Sequence, residues 1–199
     1  LDFSEYIAGP FAAQMLADLG AAVTKVEPPH RDFWRHTAPV APAESRVFMG
    51  VNKGKRSISL DLKHPAATEI LHRAVRSADV LLANYRPGVA ERLGMDYATL
   101  SALNPRLVYC ENTAFGSRGP YAARPGFDLV SQAVPGIMAF EGAGGPPHPI
   151  ITTSPTDLAA GMFMAYAIAA ALYQREHTGS GQYIETSLFA AGLATQHRP

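Results

Sequence analysis

Apolar positions recur along residues 11–19 at helical spacing (Phe11, Met15, Leu16, Leu19), with Pro10 in the first turn and Gly20 as a C-terminal stop. Residues 22–27 then read as a short strand that ends at Pro28 and Pro29. No period for helix or strand appears over residues 30–44, so a long loop is expected there. Residues 57–62 alternate like a half-buried strand, and Pro65 opens a helix to about residue 77 with Ile70, Leu71, Ala74 and Val75 on one side. Residues 79–83 form a continuous apolar run of the kind that buried parallel strands show. Short helices follow over 89–93 and 97–103, the second capped by Asp96, and then a strand over 107–111. Strand and helix alternate throughout, which predicts an α/β fold with a doubly wound, mostly parallel sheet.

Beyond residue 127 the pattern changes. Residues 127–140 read as partly helical and 141–149 as a Gly/Pro loop. A long helix is expected over 155–176, then a turn over 177–181, a strand over 182–185 and a last helix cut by the chain end. The apolar run 158–173 is 16 residues long and contains a glycine. It falls short of the roughly 20 residues a membrane span needs, so a buried core helix is expected and no membrane association. The chain shows no internal repeat and no low-complexity tract.

Composition narrows the class. Of 199 residues, 47% are apolar and 17% charged, which is a globular profile. Lys+Arg and Asp+Glu both number 17, so no overall field recruits nucleic acid or an anionic surface, and any anion site must be local. The single Cys110 excludes an internal disulfide framework and fits a reducing, cytoplasmic setting. The opening residues, Leu1-Asp2-Phe3-Ser4, resemble a strand cut open, with no secretory signal, and read as the start of a fragment or processed chain.

Asp157 is the only acidic residue between Glu141 and Glu176, at the mouth of the most apolar helix. Ser154, Pro155 and Asp157 fit a capping box in which the acid at the third helical position folds back on a free N–H. The same geometry suits a nucleophile: unpaired N–H groups and the helix dipole would hold the carboxylate ionised, ready to attack an activated acyl group. Lys53-Gly54-Lys55-Arg56 packs three cations before a strand, as a solvated surface or as a phosphate site to which Arg86 and Arg92 would add. Asn84-Tyr85-Arg86-Pro87-Gly88 lies at the carboxyl end of a predicted strand, where open α/β sheets bind ligands. No Walker loop, Gly-x-Gly-x-x-Gly turn, Gly-x-Ser-x-Gly elbow or paired-histidine metal motif occurs.

Several stretches together resemble the family III CoA-transferases, the group that includes formyl-CoA and carnitine CoA-transferases and alpha-methylacyl-CoA racemase. They are Leu1-Asp2-Phe3-Ser4 with Ala8-Gly9-Pro10, Asp18-Leu19-Gly20-Ala21 with Lys25-Val26-Glu27, and Asn52-Lys53-Gly54-Lys55-Arg56-Ser57. Further matches are Asn84 to Gly88, Gly119-Pro120-Tyr121 with Arg124-Pro125-Gly126-Phe127-Asp128, and Thr178-Gly179-Ser180-Gly181-Gln182. The resemblance implies that residues 1–199 are the N-terminal, Rossmann-like CoA-binding half of a longer transferase that forms an interlocked homodimer. It places the catalytic nucleophile on Asp157 and CoA contacts on Asn84, Tyr85 and Arg92, with Lys53, Lys55 and Arg56 as nearby candidates. No permanently bound cofactor or metal is implied; coenzyme A and its acyl esters enter as substrate, with a carboxylic acid as acceptor. Phe127 stands where the racemases carry a proton-transferring His, which disfavours the racemase alternative. Ile7 stands where formyl-CoA transferase has Gln, which points to an acid larger or more apolar than oxalate or formate. An inactive CoA-binding fragment is the remaining alternative.

Overall fold

The structure is a computed structural model that describes residues 1–37, 39–41 and 44–196, with only the backbone of 39 and 44 described. In chain order its elements are α1 (Ala8–Asp18), β1 (Thr24–Glu27), a 3-10 turn (Phe33–His36), β2 (Pro39–Ala41), β3 (Glu44–Ser45), α2 (Arg46–Asn52), β4 (Arg56–Ser59) and α3 (Pro65–Val75). β5 (Val80–Ala83), α4 (Val89–Arg92), α5 (Tyr97–Leu103) and β6 (Val108–Thr113) follow. The chain continues through α6 (Asp128–Ala133), α7 (Ile137–Glu141), α8 (Pro155–Thr178), β7 (Tyr183–Ser187) and α9 (Leu188–Thr195).

β1 pairs in parallel with β4, and β5, β6 and β7 form a second parallel group in that order. The N-terminal residues join the two. Asp2 bridges Lys25 on one side and Leu82 on the other, both in parallel. Asp2 N donates to Thr24 O at 2.9 Å and Phe3 N to Leu82 O at 2.8 Å. Counting this segment as the first strand, the spatial order is 3-2-1-4-5-6, that of doubly wound nucleotide-binding sheets.

Alternate side chains of the central strands enter two cores. Leu82, Val108 and Cys110 pack against α1, α8 and α9 through Ala12, Ala160, Met164, Ile168 and Ala191. Leu81, Ala83, Leu107 and Tyr109 pack against the other helical layer through Leu71, Val75, Ala90 and Leu100. A strand buried on both faces has no room for polar alternation, which is why its sequence is an unbroken apolar run. α1 and α8 cross closely at Gly161, where an added Cβ would lie 2.9 Å from Ala8 O and from the Phe11 ring. α8 is 24 residues long and apolar enough by composition to cross a bilayer. Its buried stripe against α1 and the sheet, with buried Arg175 bonded to Asp79 at 2.8 Å, makes it a core helix.

Three local expectations change. The alternation around β4 suggests a half-buried strand, yet all four residues are exposed, because β4 is the edge strand and its outward side chains meet no helix. The segment expected as a loop over 30–44 holds a 3-10 turn and the short antiparallel pair β2–β3, with residues 38, 42 and 43 outside the described residues. Helix α2 goes unannounced by any long periodic run. It starts where Ser45 Oγ accepts from Phe48 N at 3.1 Å, and it buries Phe48 and Val51. The final helix, α9, ends at Thr195, before the last described residue; residues 197–199 lie outside the described ones.

Candidate active site

The strand order reverses between the N-terminal segment and β5, and a cavity of about 590 Å3 opens at the carboxyl ends there. Its walls come from residues 5–8 after the N-terminal segment, 84–87 after β5 and 112–114 after β6. The starts of α6 and α8 close the far side with Asp128 and Asp157. Asn84 locks the two central connections together: its Oδ1 accepts from Glu5 N at 2.9 Å and its Nδ2 donates to Glu5 O at 2.7 Å. Tyr6 turns the chain into α1 with φ of 67°, a left-handed conformation uncommon outside glycine, and its ring meets Phe127 edge-on at 5.3 Å.

The start of α8 differs from the capping box. Ser154 makes no side-chain cap bond. The cap is the carboxylate of Asp128, which reaches across from α6: its Oδ1 accepts from Thr156 N at 2.8 Å, Asp157 N at 3.2 Å and Thr156 Oγ1 at 2.6 Å. Asp157 is therefore relieved of any capping role. Its carboxylate has no hydrogen-bond or ion-pair partner among the described residues and lines the cavity, partly buried. Burial, and after it the charge of Asp128, raises its pKa from an ordinary 3.8 to about 7. The expectation that free helical N–H groups would hold it ionised fails for a simple reason: Asp128 occupies them.

Of the other residues singled out from sequence, Asn84 and Tyr85 line the same cavity as Asp157. Burial raises the pKa of the Tyr85 phenol. Arg92 is exposed on α4 and lies over Gly88, where an added Cβ would be 3.3 Å from its Nη1. The cation run 53–56 splits three ways, and none of it lines the cavity. Lys53 is exposed with its Nζ 3.5 Å from Asp18, and Arg56 is exposed on the edge strand. The Lys55 side chain is buried, and its Nζ donates to Asp2 Oδ2 at 2.8 Å, Pro10 O at 2.7 Å and Asn52 Oδ1 at 2.8 Å, which uses all three N–H bonds. The cavity's own cations are Arg86 and Arg124, the latter stacked 4.3 Å over the Tyr121 ring.

Sequence reasoning passed over Asp128, Glu5 and Arg124 as site residues. Arg124 and Asp128 stand in the stretch Arg124-Pro125-Gly126-Phe127-Asp128 that carries the resemblance, yet nothing in its local spacing marks either as a site residue. Glu27 also has a consequence. It ends the second strand of the sheet, where dinucleotide-binding folds present an acid to a ribose. Here Arg35 Nε and Nη2 each donate to it at 2.7 Å and Ser57 Oγ at 2.5 Å. Burial alone would raise its pKa, but these bonds, with one from Asp32 N, hold it at about 2. Both of its carboxylate oxygens are thus bonded within the fold.

The doubly wound sheet thus holds an unpartnered carboxylate in the cavity at its switch point. The chain belongs to CoA-transferase family III, whose model matches residues 1–198. It is 45% identical over 196 residues to the acetyl-CoA:oxalate CoA-transferase of Acetobacter aceti, covering 98% of this chain and 50% of that protein. It is 36% identical over 198 residues to the succinyl-CoA:glutarate CoA-transferase of Homo sapiens, covering 98% and 45%. A CAIB/BAIF family protein from Brucella suis has the same fold, with TM-score 0.92 and 38% identity over 97% of this chain and 52% of that one. The chain thus spans about half the length of the curated relatives it matches.

Proposed function

We propose that the full-length protein moves coenzyme A from an acyl-CoA donor to a carboxylic acid acceptor, with Asp157 as the nucleophile and residues 1–199 as its CoA-binding half. The observation that carries this reading is the unpartnered Asp157 carboxylate in one cavity with Asn84 and Tyr85. An Asp157 oxygen attacks the thioester carbonyl carbon, the C–S bond breaks and CoA thiolate leaves, giving a mixed anhydride. The thiolate then attacks the Asp157 carbonyl carbon, releasing the donor acid as a carboxylate and leaving an aspartyl-CoA thioester. The acceptor carboxylate repeats both steps in reverse order, which regenerates Asp157 with no net proton change. CoA is a substrate throughout, and no resident cofactor takes part.

Asn84, Tyr85 and Arg92 are the proposed CoA contacts; Lys53 and Arg56, both exposed, remain more distant candidates, and an interlocked homodimer is proposed for the whole protein. Ile7 in the cavity wall favours an acceptor with a carbon chain behind its carboxylate, such as glutarate, over oxalate. The racemase reading lacks a proton carrier at Phe127, an exposed cavity residue with no titratable group. The test is mass spectrometry of the full-length protein incubated with a panel of acyl-CoAs. An adduct on the peptide carrying Asp157 is expected, and Asp157→Ala is expected to abolish transfer while keeping CoA binding. Near-normal turnover by Asp157→Ala would sink the mechanism.

A further inference from the structure

We propose that Asp128 is the positioning and tuning residue of this site: its carboxylate fixes the main chain that carries Asp157 and faces the Asp157 side chain with a second negative charge. The inference rests on the reading of Asp157 as the nucleophile. Asp128 is 7% exposed and rigidly held. Besides the three bonds it accepts from the start of α8, its Oδ2 accepts from Gln132 Nε2 at 2.5 Å. Gln132 is fully buried and clamps the segment that leads into α8, donating to Ile150 O at 3.0 Å and accepting from Ile150 N at 2.8 Å. Helix α6 and the mouth of α8 therefore meet on one carboxylate, and Gln132 ties the segment at Ile150 to it. Its partners among the described residues are all hydrogen-bond donors, with no ion pair.

That charge has chemical use. The Asp128 carboxylate sits on the backbone N–H of Asp157 itself, and repulsion between two nearby carboxylates is relieved when one of them becomes a neutral acyl derivative. When an Asp157 oxygen bonds to the thioester carbon, the C–S bond breaks and the negative charge departs on the thiolate, so the covalent adduct no longer opposes Asp128. Raising the energy of the free carboxylate in this way favours its attack. A more basic oxygen is also a stronger nucleophile at pH values where it is ionised. The other charged groups lining the cavity are Glu5 after the N-terminal segment, Arg86 after β5 and Arg124 before α6. None of them contributes to the raised pKa of Asp157; Asp128 does, after burial.

Asp128→Asn in the full-length protein removes the charge and keeps an oxygen acceptor for Thr156. Two readouts follow: the acid limb of the kcat/KM profile, and carbodiimide labelling of the Asp157 peptide without substrate, normalised to the peptide of exposed Asp61. Labelling follows the protonated carboxyl, so its midpoint tracks Asp157 directly. Both midpoints are expected to fall by about one pH unit, which raises the ionised fraction at pH 6 from about a tenth to about a half. Asp128→Ser, a smaller neutral acceptor, carries the same expectation if the amide is not tolerated, and Thr156→Val, which keeps the charge, should leave the midpoint in place. Unmoved midpoints in both neutral variants would overturn the tuning role. Turnover retained by Asp157→Ala would instead overturn the nucleophile reading, and the labelling midpoint separates the two failures.

Discussion

Replacing Asp157 with Asn should stabilise the folded protein, by an amount that grows from about pH 4 and levels off above about pH 7. The folded state raises the Asp157 pKa from 3.8 to about 7, so it binds this proton more tightly than the unfolded chain does. The stability contributed by that proton is complete below about pH 4 and is lost as pH rises through 7. Asparagine is neutral at every pH and escapes the loss. A displacement of this size corresponds to about 4 kcal/mol at full burial, and partial exposure of the carboxylate reduces the expectation to about 2 kcal/mol. For a domain of this length that is about 4–8 °C in Tm. Paired melting of wild type and Asp157→Asn at pH 3.5, 5.5 and 8 reads the effect, with the gap near zero at the first, about half-developed at the second and widest at the last. A gap that is the same at all three values would mean that Asp157 ionises as freely in the fold as in water, and the buried-nucleophile account would fall. Enhanced stability together with lost turnover would also identify Asp157 as a residue kept at a cost to the fold.

Lys55→Met should destabilise by about 3–5 kcal/mol in urea denaturation, because it strands the buried Asp2 carboxylate, and it should leave the Michaelis constant for CoA esters unchanged. A raised Michaelis constant with unchanged stability would return Lys55 to the ligand. Arg92→Ala should behave in the opposite way. It removes an exposed guanidinium beside the 84–88 loop, so it should raise that constant about tenfold with kcat held, the size of one charge-assisted bond to phosphate. An unchanged constant would remove Arg92 from the proposed CoA contacts.

The alternation of strand and helix could be read from the chain because its causes are local. Residues 80–83 are apolar throughout because both faces of β5 are covered, and the Asp96 cap works within its own turn, accepting from Thr99 N at 3.0 Å. Where the cause lies far along the chain, local reading stops. The three cations of 53–56 look equivalent in sequence, yet the turn between α2 and β4 sends Lys55 inward to Asp2, 53 residues away, and leaves its neighbours in solvent. The alternation of β4 says that it is a strand but cannot say that it is an edge, since that depends on the order in which strands pair.

The start of α8 shows the same limit at the residue that matters most. Local spacing offers Asp157 two roles, helix cap and nucleophile, and cannot choose between them because both use the same N–H groups. Asp128, 29 residues upstream, takes those groups, and the two roles become exclusive. A carboxylate that caps a helix is held ionised by the donors around it and is a poor nucleophile because they share its lone pairs. One displaced from the cap keeps its lone pairs, loses its stabilising donors and gains a like charge beside it. The reactive carboxylate and the structural one are thus a pair, and the chemistry proposed for Asp157 depends on the cap supplied by Asp128.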